Sequence, residues 1–150
     1  MTTTRPVRRG PAAVTGPVLR VVTAAGLAID AVVHLQLAPT YQLAAPAGIG
    51  QGNLFRIEAA LAVLAALWVL IRGSRAAFAA ALLVAAGGLV AVLVYRYFQL
   101  PAFGPIPAMY EPLWFFKKSL TAVAEAVATV AALLGYLHRS QSLPAGMANH

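Results

Sequence analysis

Four apolar runs fill most of this chain: Pro17 to Leu37, Leu54 to Ile71, Ala76 to Phe98 and Leu113 to Leu137. Each approaches the roughly 20 residues that a helix needs to cross a bilayer. Inside hydrocarbon every backbone N–H and C=O must find its partner within the protein, which leaves helices or closed barrels as solutions. Runs of this length, without the alternation of a barrel strand, predict an all-α polytopic membrane protein. Its fold should be an antiparallel bundle of four transmembrane helices over about 17–37, 54–72, 76–98 and 113–138.

Composition narrows the chemistry. Of 150 residues, 61% are hydrophobic and 10% charged, against about a quarter charged in soluble domains. Four spans leave no length for a second, soluble domain. There is no cysteine, which excludes disulfides, thiolate metal sites, Fe–S clusters and thiol redox relays. A net charge of +7 is compatible with a nucleic-acid partner, but the basic residues flank the apolar runs and form no soluble basic face, so no nucleic-acid partner is expected.

Those flanks set orientation, because Lys and Arg are retained on the cytoplasmic side. With the N-terminus inside, Arg5, Arg8, Arg9, Arg20, Arg72, Arg75 and Arg139 fall in the cytoplasm and Arg56, Arg96, Lys117 and Lys118 outside. Both termini are therefore expected to be cytoplasmic. A cleaved signal peptide competes for the first 45 residues, but the first run is too long and carries Asp30 and His34, which a short apolar signal core should not.

Along the chain, residues 1–16 and 139–150 have the composition of disordered tails. Pro17 suits the first turn of a helix and Pro39 its end. Residues 38–53 should then form an outer loop, with Gly52-Asn53 opening the second helix. The turn at Gly73-Ser74 is so short that helices two and three must be antiparallel neighbours. Ala81, Ala85 and Gly88 form a small-residue stripe of the kind that lets membrane helices approach closely. The segment Gln99 to Pro112 holds four prolines interleaved with Phe103, Met109 and Tyr110, a stiff chain suited to a cap over the bundle mouth.

The polar residues inside the runs locate the candidate site. Glu125 lies roughly 18 Å along the fourth helix from Leu113, where an ionised carboxylate costs several kcal/mol unless paired, hydrated or protonated. Lys118, Thr121, Glu125 and Thr129 share one helix face, which should look inward. Asp30 and His34 are an i, i+4 pair above Gly26 and Thr23. Two readings stand: a protonatable relay pair, or a structural hydrogen bond that locks packing. Two ligands do not make a metal site, and neither metal nor cofactor is expected. Arg56 and Glu58 are about 200° apart on their helix, and Lys117 and Lys118 about 100° apart, so one of each pair can face inward. Arg96 closes the third helix and Glu111 sits in the second outer loop, in reach of several bases. Acids and bases crowd the outer half together, which snorkelling lysines and arginines alone would not require.

The strings His34-Leu35-Gln36-Leu37-Ala38-Pro39, Ile49-Gly50-Gln51-Gly52-Asn53-Leu54-Phe55 and Glu111-Pro112-Leu113-Trp114-Phe115-Phe116-Lys117-Lys118 resemble segments of small four-helix membrane proteins from GC-rich bacterial genomes. In layout the chain resembles DoxX-like membrane proteins. The resemblance implies a bacterial cytoplasmic membrane and assigns no catalytic residue. Three functions follow from the residues. The first is a non-enzymatic bundle binding a small solute, lipid headgroup or partner protein in its outer cleft. The second is a proton-coupled carrier or channel using Glu125 with Asp30 and His34, formed as a homo-oligomer because four helices enclose little room. The third is an enzyme subunit holding a quinone or lipid beside His34 and Tyr95, against which stands the lack of a nucleophile arrangement or cofactor fingerprint.

Overall fold

The computed structural model describes residues 11–141. They form four helices, α1 (Pro11–Ala44), α2 (Gln51–Ile71), α3 (Arg75–Tyr97) and α4 (Phe116–Gln141), with no strand among the described residues. All four are long and apolar enough to cross a membrane, and the all-α bundle follows the four runs. In cyclic order α1 packs on α2 and α4, α3 closes the ring against α4 and more loosely against α2, and α1 scarcely touches α3.

The interior is built from alanine. Ala24, Ala31, Ala59, Ala62, Ala81, Ala85, Ala128 and Ala132 are buried, while larger residues such as Leu64, Leu83, Val90, Val123 and Val130 lie on the outside. That inversion is what an apolar surround permits. With no water to flee, bulky aliphatic groups face lipid, and small residues let the backbones approach. A Cβ on Gly26 would stand 2.8 Å from the Ala124 carbonyl oxygen and 2.9 Å from Ala128 Cβ, so α1 and α4 touch backbone to backbone there. The stripe Ala81, Ala85 and Gly88 is likewise buried.

Helix α1 corrects the sequence reading most. It does not stop before Pro39 but runs to Ala44 with Pro17 and Pro39 inside it. The loop predicted over 38–53 therefore shrinks to residues 45–50. A proline in a helix interior costs about 3 kcal/mol, and contacts beyond it outweigh that cost. Ala38 is buried, the Tyr41 hydroxyl donates to Glu111 Oε2 at 3.0 Å, and the Gln42 side-chain oxygen accepts from the Asn53 backbone N–H at 3.0 Å. That last bond satisfies a first-turn donor of α2, which starts at Gln51, three residues before the predicted Leu54, with Gly50 as its N-cap. Gly50 has φ 79°, a conformation that glycine adopts without a Cβ penalty. Helix α4 starts at Phe116, three residues after the predicted Leu113. Of the predicted tails, residues 11–16 and 139–141 are helical and the rest lie outside the described residues.

At the end of the bundle where α1 starts and α4 ends, Arg20 Nε donates to the Val69 carbonyl at 3.0 Å and its guanidinium also reaches the Leu70 carbonyl. Carbonyls in the last turn of a helix have no intrahelical donor and carry the negative end of the helix dipole. Arg20 thus ties α1 to the C-terminus of α2. Replacing Arg20 with Gln should cost about 1 kcal/mol, read as a lower denaturant midpoint, with faster amide exchange confined to residues 70–74. Across the turn, Ser74 caps α3 by accepting from the Ala77 N–H.

Candidate functional site

Between α3 and α4 the chain folds into an ordered cap. Leu100 bridges to Met109, and Phe103 and Ile106 exchange backbone hydrogen bonds at 3.0 Å. The Ile49 N–H donates to the Pro105 carbonyl and the Glu111 N–H to the Tyr95 carbonyl. Met109 is buried. Prolines stiffen the segment and backbone bonds from two neighbouring elements hold it, as the interleaved prolines predict; of its apolar side chains Met109 and Ile106 line the space beneath, whereas Phe103 and Tyr110 are exposed.

Under the cap lies a cavity of about 320 Å³, near the lower end of the range for small-molecule sites. Its walls are mostly apolar, supplied by Leu37, Leu54, Phe55, Ala91, Val92, Ile106, Met109 and Phe115. Exposed Ile57 and Gly87 also line it, so the cavity opens sideways between α2 and α3. The loose packing of that pair makes the opening. Polar groups sit at two ends. At the mouth Glu111 accepts from Tyr41 at 3.0 Å, and Lys118 donates to the Glu111 backbone carbonyl and lies 5.4 Å over the Trp114 ring. At the floor stand His34, Glu58 and Thr121.

Behind the floor is a tighter cluster. His34 Nδ1 lies 2.8 Å from Asp30 Oδ1, and Thr121 donates to the same oxygen at 2.6 Å. The imidazole edge packs against Phe55 with ring centroids 5.0 Å apart. Asp30 and Glu125 are fully buried at 0% exposure. A Cβ on Gly88 would overlap Glu125 Oε1 and stand 3.2 Å from Glu58 Oε1. Gly88 is therefore small where two carboxylates converge. Among the described residues, Asp30 Oδ2, Glu58 Oε1 and both oxygens of Glu125 have no hydrogen-bond donor. Buried polar atoms are otherwise nearly always paired.

The residues singled out from sequence thus separate into three groups. Asp30, His34, Glu58, Thr121 and Glu125 meet at the floor, and Tyr95, Glu111 and Lys118 line the cavity above them. Arg56 is exposed and donates to Asn53 at 2.7 Å, Arg96 stacks over Tyr97 at 5.2 Å, and Lys117 borders a separate shallow groove between α1 and α4. None of these three lines the cavity. The mixed network of acids and bases predicted for the outer half therefore sorts largely by sign, with Asp30, Glu58 and Glu125 inward, Glu111 at the mouth with Lys118, and Arg56, Arg96 and Lys117 outside the cavity. That sorting follows side-chain length, since Lys and Arg reach the interface from within a span and Asp and Glu do not. Sequence reading missed the role of Gly88 against Glu125, and that of Gln42, which no intramembrane charge flagged.

Compared with family models, curated proteins and solved structures, the chain matches none. Its chemistry rests on the geometry above.

Proposed function

We infer that this integral membrane protein binds a small amphiphile in the capped cavity: an apolar body with one hydrogen-bond donor, a hydroxyl or amine, directed to Glu58 at the floor. The observation that carries this reading is the pairing of an apolar, laterally open cavity with the buried Glu58 Oε1, which lacks a donor. An apolar molecule dissolved among acyl chains gains little from an apolar wall alone. Recognition in a bilayer must come from shape and from a polar atom that lipid cannot satisfy. The excess of Lys and Arg at the opposite, terminal end supports a cap facing outward from a bacterial cytoplasmic membrane, with both termini inside. Conduction through one bundle finds less support. Below the cluster Leu27, Val69, Ala77, Phe78, Ala128 and Ala132 are buried against one another, and a Cβ on Gly135 would overlap the Phe78 ring.

The test is calorimetric titration of the full chain in lipid nanodiscs with decanol and with decylamine. Wild type should show a saturable site, one per chain, for at least one of them. Ala91→Phe, which fills the cavity, should weaken it at least about tenfold, the cost of losing roughly 1.4 kcal/mol of contacts. Equal heats from wild type, Ala91→Phe and protein-free discs would sink the reading.

A further inference from the structure

The acids behind the cavity floor form a donor set that a helix seam does not need. One ligand atom from each of Asp30, His34 and Glu125 lies within 4.8 Å of the other two, and the three residues come from α1 and α4. Glu58 of α2 approaches Glu125 over Gly88 of α3, so all four helices contribute to one point. Three carboxylates face one imidazole. Lys118, the base on the same face of α4, is turned away to the Glu111 carbonyl. Both oxygens of the fully buried Glu125, and Oδ2 of the fully buried Asp30, have no donor among the described residues. Carboxylates in such a place require a cation or bound protons, because the desolvated charge has no other compensation.

Four features favour a metal ion. The set combines an imidazole nitrogen with carboxylate oxygens and no thiolate, which suits zinc and the neighbouring divalent ions. Four-coordinate zinc with bonds of about 2.1 Å places its ligands about 3.4 Å apart. The three ligand atoms lie within 4.8 Å of one another, and no donor among the described residues fixes Glu125 against closing that spread. Thr121 donates to Asp30 at 2.6 Å, the kind of outer hydrogen bond that orients a ligating carboxylate. Finally, His34 and Glu58 border the cavity, leaving one side of the cluster approachable from it, as an open coordination position requires.

We propose that Asp30, His34 and Glu125 bind a divalent first-row transition metal ion of the zinc class, with Glu58 on the side that opens to the cavity. This site adjoins the amphiphile cavity through His34 and Glu58, but it survives the failure of that reading, because its test uses the metal alone. The full chain in zwitterionic nanodiscs, stripped with chelator, is titrated with Co²⁺ and then challenged with Zn²⁺. Wild type should take up one Co²⁺ per chain with ligand-field bands in the visible spectrum, which Zn²⁺ displaces. Glu125→Gln and Asp30→Asn should each weaken binding by about a hundredfold, since even outer-shell changes cost about 10–100-fold. Thr121→Val, which removes only the outer hydrogen bond, should weaken it about tenfold. His138→Ala, at the far end of α4, should leave it unchanged. If the Gln and Asn variants do not fold, Thr121→Val still decides. No saturable Co²⁺ uptake, or uptake the same in wild type and Thr121→Val, overturns the proposal and leaves bound protons as the compensating charge.

Discussion

Gly26→Ala should destabilise the bundle by about 1–3 kcal/mol, the usual cost of forcing extra volume into a packed interior. Two terms oppose each other. Alanine is the better helix former by roughly 1 kcal/mol, which would stabilise an unconstrained position. At Gly26, however, the new methyl group meets a backbone oxygen at 2.8 Å and a Cβ at 2.9 Å, and neither can swing aside as a flexible side-chain tip would. Helices α1 and α4 must separate, and overpacking wins. Gly87 provides the reverse case, since a Cβ there meets nothing within 4 Å. Gly87→Ala should be neutral or gain up to about 1 kcal/mol. Denaturation in mixed micelles, followed by helical circular dichroism, measures both. If Gly26→Ala matched Gly87→Ala, the close α1–α4 contact would be wrong. A functional readout should move as well, because Gly26 is one turn from Asp30. Parting the helices there stretches the 2.6 Å bond from Thr121 and takes Glu125 away from Asp30, so Co²⁺ binding should weaken alongside stability.

How far the sequence reveals such contacts depends on their periodicity. The four spans were legible because crossing a bilayer demands length and apolarity from each segment independently. The inward faces of α1 and α4 were legible too, as Asp30 with His34, and Thr121 with Glu125, repeat at helical spacing. What joins them was not. The register that sets Glu125 beside Asp30 is fixed by the small residues Gly26, Ala124 and Ala128, and small residues are common throughout these runs. The continuation of α1 past Pro39 was hidden for the same reason. Local propensity argues for a stop, and the bonds from Tyr41 to Glu111 and from Gln42 to Asn53 span 70 and 11 residues. The sequence groups Glu125 with Asp30 and His34 but does not reveal their approach to within 4.8 Å, since same-face spacing reports on one helix at a time.

The sharpest separation of structural from functional carboxylates is an expected difference in sign between two neighbours. Asp30 accepts from Thr121 and pairs with His34. Asp30→Leu would strand both partners in the interior, at a cost of about 3–5 kcal/mol, the usual penalty for breaking a buried pair. Among the described residues no donor reaches Glu125, so removing it leaves no N–H or hydroxyl without its acceptor. Glu125→Met, of similar shape, replaces an uncompensated polar group with one that suits its surroundings, and exchanges of this kind often stabilise by about 1–4 kcal/mol. In chelator, Glu125→Met should therefore be more stable than wild type and Asp30→Leu less stable, although the two side chains meet at one point. Adding Zn²⁺ should then raise the wild-type unfolding midpoint, because a ligand bound only to the folded state adds stability as its concentration passes the dissociation constant. Glu125→Met should not respond. A wild-type protein that retains a destabilising carboxylate in its core, and regains that stability only with a cation bound, is holding the residue for binding at the expense of the fold. A Glu125→Met variant less stable than wild type in chelator would instead make Glu125 a packing element of the α3–α4 seam.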